Sequence, residues 1–382
     1  MSGGGVRATA FHLGLLLRLA AEGRLERVRI VSSVSGGSLA AALVYSAAGL
    51  AWPSSGAFIE NVLPRARYAL VEQSLQGAAV RRMLLRPWSL FGSRGDLLAQ
   101  ALEEVWLIRG SLKELAASPR WFINATCYET GSNWRFSQQH IGDWRFGHNF
   151  EQAASIATAV AASAAIPYMA GFVHLPIQPE GWFSIDPATD EPRQPITPIR
   201  DAVRLWDGGV YENLGMEPVY KPQRGMVSAT ASLLIVGDAS AHLQDHLGPS
   251  GMFTWSYPFI RPPRLFDITS EQTRALRSRL LIDAIVDGRL RGSIVRLGRS
   301  AAYIDKQARR DRSSSGAVFL SEAEVSAAAR YPTNATRMTP VSFERLLRHG
   351  FETADATLTG YLTQEFPRSM LWADLSRQFA EA

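Results

Sequence analysis

Apolar positions along the chain fall into runs of two kinds. Short β-branched or aromatic stretches read as strands: Val28-Arg29-Ile30-Val31, Phe122 to Tyr128, Trp134 to Ser137, Val203 to Val210 and Ser232 to Gly237. Thr130-Gly131-Ser132-Asn133 turns the second of these into the third and predicts a hairpin. The stretch Ser232 to Gly237 is apolar throughout, which predicts a central strand covered on both faces. Apolar residues at helical spacing occupy Phe11 to Ala21, Leu39 to Tyr45, Asp96 to Ile108, Ile156 to Ala165, Ser270 to Val286, Ser342 to Phe351 and Thr353 to Leu362. Ala51 to Leu107 reads as helices with loops, and Pro176 to Pro198 as a proline-rich excursion.

Two long uncharged runs, 30–59 and 152–171, are broken by Gly36-Gly37, Pro53 and Pro167, so they read as buried elements rather than membrane spans. With 382 residues, 46% of them hydrophobic and 20% charged, the chain can bury one large core or two modest ones. The net charge of +5 comes almost wholly from arginine. It suits an anionic membrane surface and is too diffuse to argue for nucleic acid. Cys127 is the single cysteine, which excludes an internal disulfide and fits a reducing, cytoplasmic setting. His242, Asp245 and His246 lack a third ligand, so no metal or other cofactor is expected. Two segments have open readings. Arg81 to Phe91 suits a membrane interface or a helix end packed on the core. Gly251 to Phe266, rich in aromatics, suits a lipid-binding mouth or a loop packed on the core.

The chemistry gathers around Ser32-Ser33-Val34-Ser35-Gly36-Gly37-Ser38. A strand runs into it and a helix leaves it. Such a turn lifts a serine hydroxyl above the sheet and aims the helix amides at it. Small residues two places either side, here Ser33 and Gly37, let the strand and helix backbones come close. Upstream, Ser2-Gly3-Gly4-Gly5-Val6-Arg7-Ala8 feeds a helix, as an anion-binding turn does. It lacks the Gly-Lys-Ser/Thr ending of a phosphate loop and the spacing of a dinucleotide fingerprint, which leaves an oxyanion hole serving Ser35. Asp207 ends a strand and is followed by Gly208-Gly209, where a ligand or another backbone can approach. None of the seven histidines sits in a setting that marks a catalytic base.

Gly3-Gly4-Gly5-Val6-Arg7, Ser33-Val34-Ser35-Gly36-Gly37 and Asp207-Gly208-Gly209, in that order, resemble the three motifs of the patatin-like phospholipases. The helix end Ala162-Ser163-Ala164-Ala165-Ile166-Pro167 resembles that family too. Ser33 stands where the family pattern has glycine, and Ala8 where glycine is frequent. The resemblance implies an α/β fold, a three-layer α/β/α sandwich with a mostly parallel central sheet. It also implies a Ser–Asp dyad that hydrolyses acyl esters of lipids or phospholipids at a transiently bound membrane surface. Carried over, Ser35 is the nucleophile and Asp207 the base. Gly3, Gly4 and Gly5 supply oxyanion N–H groups, Arg7 fixes their loop, and Gly36, Gly37, Gly208 and Gly209 support the turns.

The expected organisation is a catalytic domain over residues 1–240, with a mainly helical region, 241–382, packed on it. A glycine loop of this kind should hang from a strand, so the reading expects that first strand to be missing or to lie ahead of Met1. Two alternatives stand beside the dyad enzyme. One is an α/β-hydrolase triad of Ser35, Asp207 or Asp238, and His349; the other is a non-catalytic lipid-binding protein. Protein partners are unspecified.

Overall fold

The computed structural model describes residues 1–85, 94–167, 170–186, 191–222, 224–226, 231–240, 264–310 and 318–375. All of the His242, Asp245 and His246 group, most of Gly251 to Phe266, and the end of Arg81 to Phe91 lie outside them. The strands are β1 (Ile30–Val34), β2 (Arg120–Cys127), β3 (Asn133–Phe136), β4 (Ile141–Asp143), β5 (Gly147–Asn149), β6 (Val173–Pro176) and β7 (Trp182–Ile185). They continue as β8 (Pro192–Pro195), β9 (Ala202–Asp207), β10 (Tyr220–Lys221), β11 (Gly225–Met226), β12 (Leu234–Asp238) and β13 (Gly292–Arg296). The helices open with α1 (Gly5–Ala21), α2 (Gly36–Ala47), α3 (Ser55–Ala57), α4 (Leu63–Glu72), α5 (Leu75–Leu85), α6 (Arg94–Val105) and α7 (Ile156–Ser163). Then come α8 (Arg264–Val286), α9 (Ala301–Gln307), α10 (Glu322–Ala329) and α11 (Pro340–Tyr361). The excursion 176–198 thus carries β7 and β8, and the two helices expected at 342–362 are one continuous helix.

The larger sheet runs β6-β9-β2-β3-β4-β5-β7-β8, with β1 also on β2. Only the β1–β2 pairing in it is parallel; the rest are antiparallel. The expected mostly parallel sheet is therefore wrong for this chain. Short turns link β2 through β5, and a short connection can only join antiparallel neighbours. Parallel pairing occurs where helices make the crossover, from β1 to β2 and, through α8, from β12 to β13. β12 pairs with β13 in a sheet of its own, so among the described strands it is not the central one expected.

One edge of β2 positions the site. β3 takes the opposite edge, from Ile123 to Thr126. β1 runs parallel along the first half of the remaining edge, bringing Val34 opposite Asn124. β9 runs antiparallel along the second half, bringing Asp207 opposite Ala125. The C-terminal tips of β1 and β9 therefore meet at neighbouring residues of one strand.

Almost every residue of α1 is buried, its polar Arg7, Thr9, His12 and Arg18 included. It packs on α2 and on α11. At the α11 crossing a Cβ on Gly14 would stand 2.0 Å from the Leu347 carbonyl oxygen, so only glycine lets the helices close. The buried pair Arg18–Asp355 joins them at 2.7 Å.

Met1 and Ser2 bridge β1 and β12. The Met1 amine donates to Ser32 O at 2.8 Å and Val34 N–H to Met1 O at 3.0 Å, the ladder of a parallel strand. Ser2 N–H donates to Gly237 O at 3.0 Å on the other side. A cavity of about 640 Å³ continues from Met1 between the two strands, lined among others by Leu15, Leu19, Val31 and Ile235. Neither Ser35 nor Asp207 lines it.

Candidate active site

β1 is buried from Val31 onward and delivers Ser35 at its tip. Ser35 has φ 49° and ψ −116°, a backbone state that non-glycine residues avoid. It persists only where the surroundings impose it. α2 begins at the next residue, so the free N–H groups of its first turn cluster at the serine. A Cβ on Gly36 would lie 2.3 Å from Gly5 O, and one on Gly37 2.4 Å from Met1 O. Gly36 thus sets the start of α2 directly against the start of α1, and Gly37 sets it against Met1.

The opening glycines reach the serine itself. A Cβ on Gly3 would stand 2.9 Å from the Ser35 Cβ and 2.4 Å from Asn213 Oδ1. Gly4 and Gly5 have φ of 143° and 62°, which a side chain would strain. Gly3 N–H donates to both Asn213 O and Oδ1, each at 3.2 Å. The Gly4 and Gly5 amides make no hydrogen bond among the described residues. Arg7 donates to Tyr331 O at 2.8 Å and to Ala239 O at 3.3 Å, tying the turn to two distant segments. Burial lowers its pKa to about 10, leaving it a cation at neutral pH.

Asp207 meets Ser35 at this point. Its N–H donates to Ala165 O at 2.9 Å and its carbonyl accepts from Thr126 Oγ1 at 2.9 Å, so its backbone is fixed on both sides. Oδ1 accepts Gly209 N–H at 2.7 Å. Gly208 is held against Asn124, where a Cβ would lie 2.3 Å from the carbonyl oxygen. Burial dominates the carboxyl's proton affinity and pushes its pKa up to about 6; the nearby Ser35 hydroxyl and the Gly209 amide oppose this. The Asp207 carboxyl is therefore a stronger base than an unperturbed one near 3.8. Among the described residues, Oδ2 is buried and forms no hydrogen bond of full geometry. The Ser35 hydroxyl is near enough to lower the carboxyl's proton affinity by hydrogen bonding, and catalytic hydrogen bonds are often long before substrate binds.

The structure thus brings together Ser35, Asp207, all three opening glycines and both supporting glycine pairs. His349 is elsewhere engaged: its Nε2 accepts Gly298 N–H at 2.9 Å, its Nδ1 pairs with Thr353 Oγ1 at 3.1 Å, and burial lowers its pKa to about 3. Asp238 forms an ion pair with Arg274 at 2.7 Å. Among the described residues, neither His349 nor Asp238 is hydrogen-bonded to Ser35. Sequence reasoning missed Asn213, whose Oδ1 holds Gly3 while its Nδ2 donates to Ser240 Oγ at 2.8 Å. It also missed the role of Ser163, whose Oγ accepts Ser35 N–H at 2.9 Å. Asn213 follows Asp207 by only six positions, the one hint available beforehand.

Among the described residues, no group of three or more His, Cys, Asp or Glu could hold a metal ion, and no helix is long and apolar enough to cross a membrane. No curated protein matches the sequence. The fold is similar to the solved structure of human GIVD cytosolic phospholipase A2, at TM-score 0.52 and 18% identity. The likeness covers 96% of this chain and 59% of that one, so this chain spans less than two thirds of its neighbour's length. Residues 1–220 match the model of the patatin-like phospholipases. That match takes in the glycine turn, the serine elbow and the aspartate, more than half of the chain, and the chain belongs to the patatin-like phospholipase family.

Proposed function

We propose that the protein is a serine acyl hydrolase that cleaves fatty-acyl esters of membrane lipids through Ser35 and Asp207. The observation that carries this reading is the strained Ser35 beside the buried Asp207 carboxyl, whose pKa is raised to about 6. Asp207 takes the hydroxyl proton as Ser35 Oγ attacks the ester carbonyl. The oxyanion of the tetrahedral intermediate takes hydrogen bonds from the Gly4 and Gly5 amides, while Gly3, whose N–H is spent on Asn213, shapes the turn. The alcohol leaves with the proton held by Asp207, giving an acyl-enzyme. Water, deprotonated by the same carboxylate, attacks the acyl carbonyl, and Ser35 Oγ leaves with that proton from Asp207 as the fatty acid is released.

Residues 1–240 form the catalytic unit in this reading, with the region after 240 packed on it through α11 against α1. Transient contact with a membrane surface supplies the lipid. The exposed Leu84, beside Arg81, offers one apolar contact for it. The test is fatty-acid release from phospholipid vesicles by the wild type and by Ser35→Ala. Release by the wild type and none by the variant supports the reading; equal release by both overturns it.

A further inference from the structure

The end of α7 holds both members of the proposed pair. Ser163 Oγ accepts Ser35 N–H at 2.9 Å, and two residues later Ala165 O accepts Asp207 N–H at 2.9 Å. Helix α7 packs on α2, β2 and β9, the elements that carry or adjoin the two side chains. The amide of the strained elbow is thereby fixed relative to the aspartate backbone through one short stretch of chain.

Ser163 is itself fixed. Its Oγ lies 2.8 Å from Ser38 Oγ, which lies 2.9 Å from Ser33 Oγ. Trp121 Nε1 donates to Ser33 Oγ at 2.9 Å, and Ser33 Oγ donates to Phe122 O at 3.4 Å. A hydroxyl donates once, and one order that satisfies every contact has Ser33 donating to the carbonyl, Ser38 to Ser33 and Ser163 to Ser38. In either order of the two serine–serine contacts, Ser163 Oγ accepts the Ser35 N–H. All three hydroxyl residues are fully buried, where a satisfied hydrogen-bond network rigidifies its surroundings. Ser33 occupies the position where a glycine would have sufficed for the turn, and its hydroxyl anchors this chain.

We propose that Ser163 is a positioning residue for the reaction. Through its bond to the Ser35 amide it holds the elbow at the distance from Asp207 that proton transfer needs, and the Ser33–Ser38 hydroxyls orient it. This rests on the reading of Ser35 as nucleophile. The test compares Ser163→Ala and the near-isosteric Ser163→Cys with the wild type, using fluorophosphonate labelling rate, ester kcat and KM, and melting temperature. Both variants should lose about tenfold in labelling rate and kcat, the rate equivalent of one hydrogen bond, with KM unchanged. Cysteine fills the same space but accepts hydrogen bonds weakly, so a packing role would leave it near wild type. Ser163→Cys at the wild-type rate overturns the proposal, as does a fall in melting temperature with kcat intact in both variants. A wild type that is not labelled at Ser35 overturns the underlying reading and the proposal with it. Labelling at Ser35 with unchanged variants overturns the proposal alone.

Discussion

Val34 and Asp207 face consecutive residues of β2, Asn124 and Ala125, from strands that approach tip to tip along one edge. Ser35 and the aspartate are 172 positions apart in the chain, yet each is set by its strand's register on the same two residues. A one-residue slip in either strand would turn its terminal side chain to the other face of the sheet. The site's geometry is therefore a property of the sheet, refined by the glycines and by α7.

On the proposed mechanism, the raised pKa of Asp207 sets the acid limb of activity. The base must be ionised to accept the serine proton, so kcat/KM should rise about tenfold per pH unit below 6 and level off above it. An ester-hydrolysis profile between pH 4 and 8 checks this. A limb centred near 4 would mean the carboxyl is not buried as found.

The same shift makes the ionised aspartate costly to the fold. The folded-state pKa, about 6, lies above the unfolded value of 3.8, so the folded protein binds the extra proton between those limits. Stability is lost as pH rises from about 4 to 6 and stays lost above. Asp207→Asn keeps an acceptor for Gly209 and removes the charge. It should be more stable than wild type at pH 8, by up to about 3 kcal/mol, with no gain below pH 4. Denaturant titrations at both pH values measure the difference.

Asn213→Ala should loosen the glycine turn, because Gly3 and Ser240 both lose a partner. A loss of about 1–2 kcal/mol of stability is expected, with a larger proportional fall in kcat than in ground-state binding. Thermal melts and steady-state kinetics on a soluble ester separate the two.

The glycine turn and the elbow were legible in the sequence because each depends on adjacent residues. Gly4 and Gly5 need positive φ and Gly36 needs room, and local chemistry announces both. The Asp207 turn was legible for the same reason. The strand pairing was not. An apolar β-branched run is the same whether its neighbours are parallel or antiparallel, and what decides is the length of the connections. Asn213 and Ser163 were hidden because their partners, Gly3 and Ser35, lie 210 and 128 residues away. No periodicity encodes such a meeting.

The most direct measurement is peptide mapping after fluorophosphonate treatment of wild type and Asp207→Asn at pH 7.5. The account predicts a single adduct on Ser35 in the wild type, formed at least about a hundredfold more slowly in the variant, as removal of a general base entails. An adduct on another residue, or labelling of Ser35 at the same rate without the carboxylate, would contradict it.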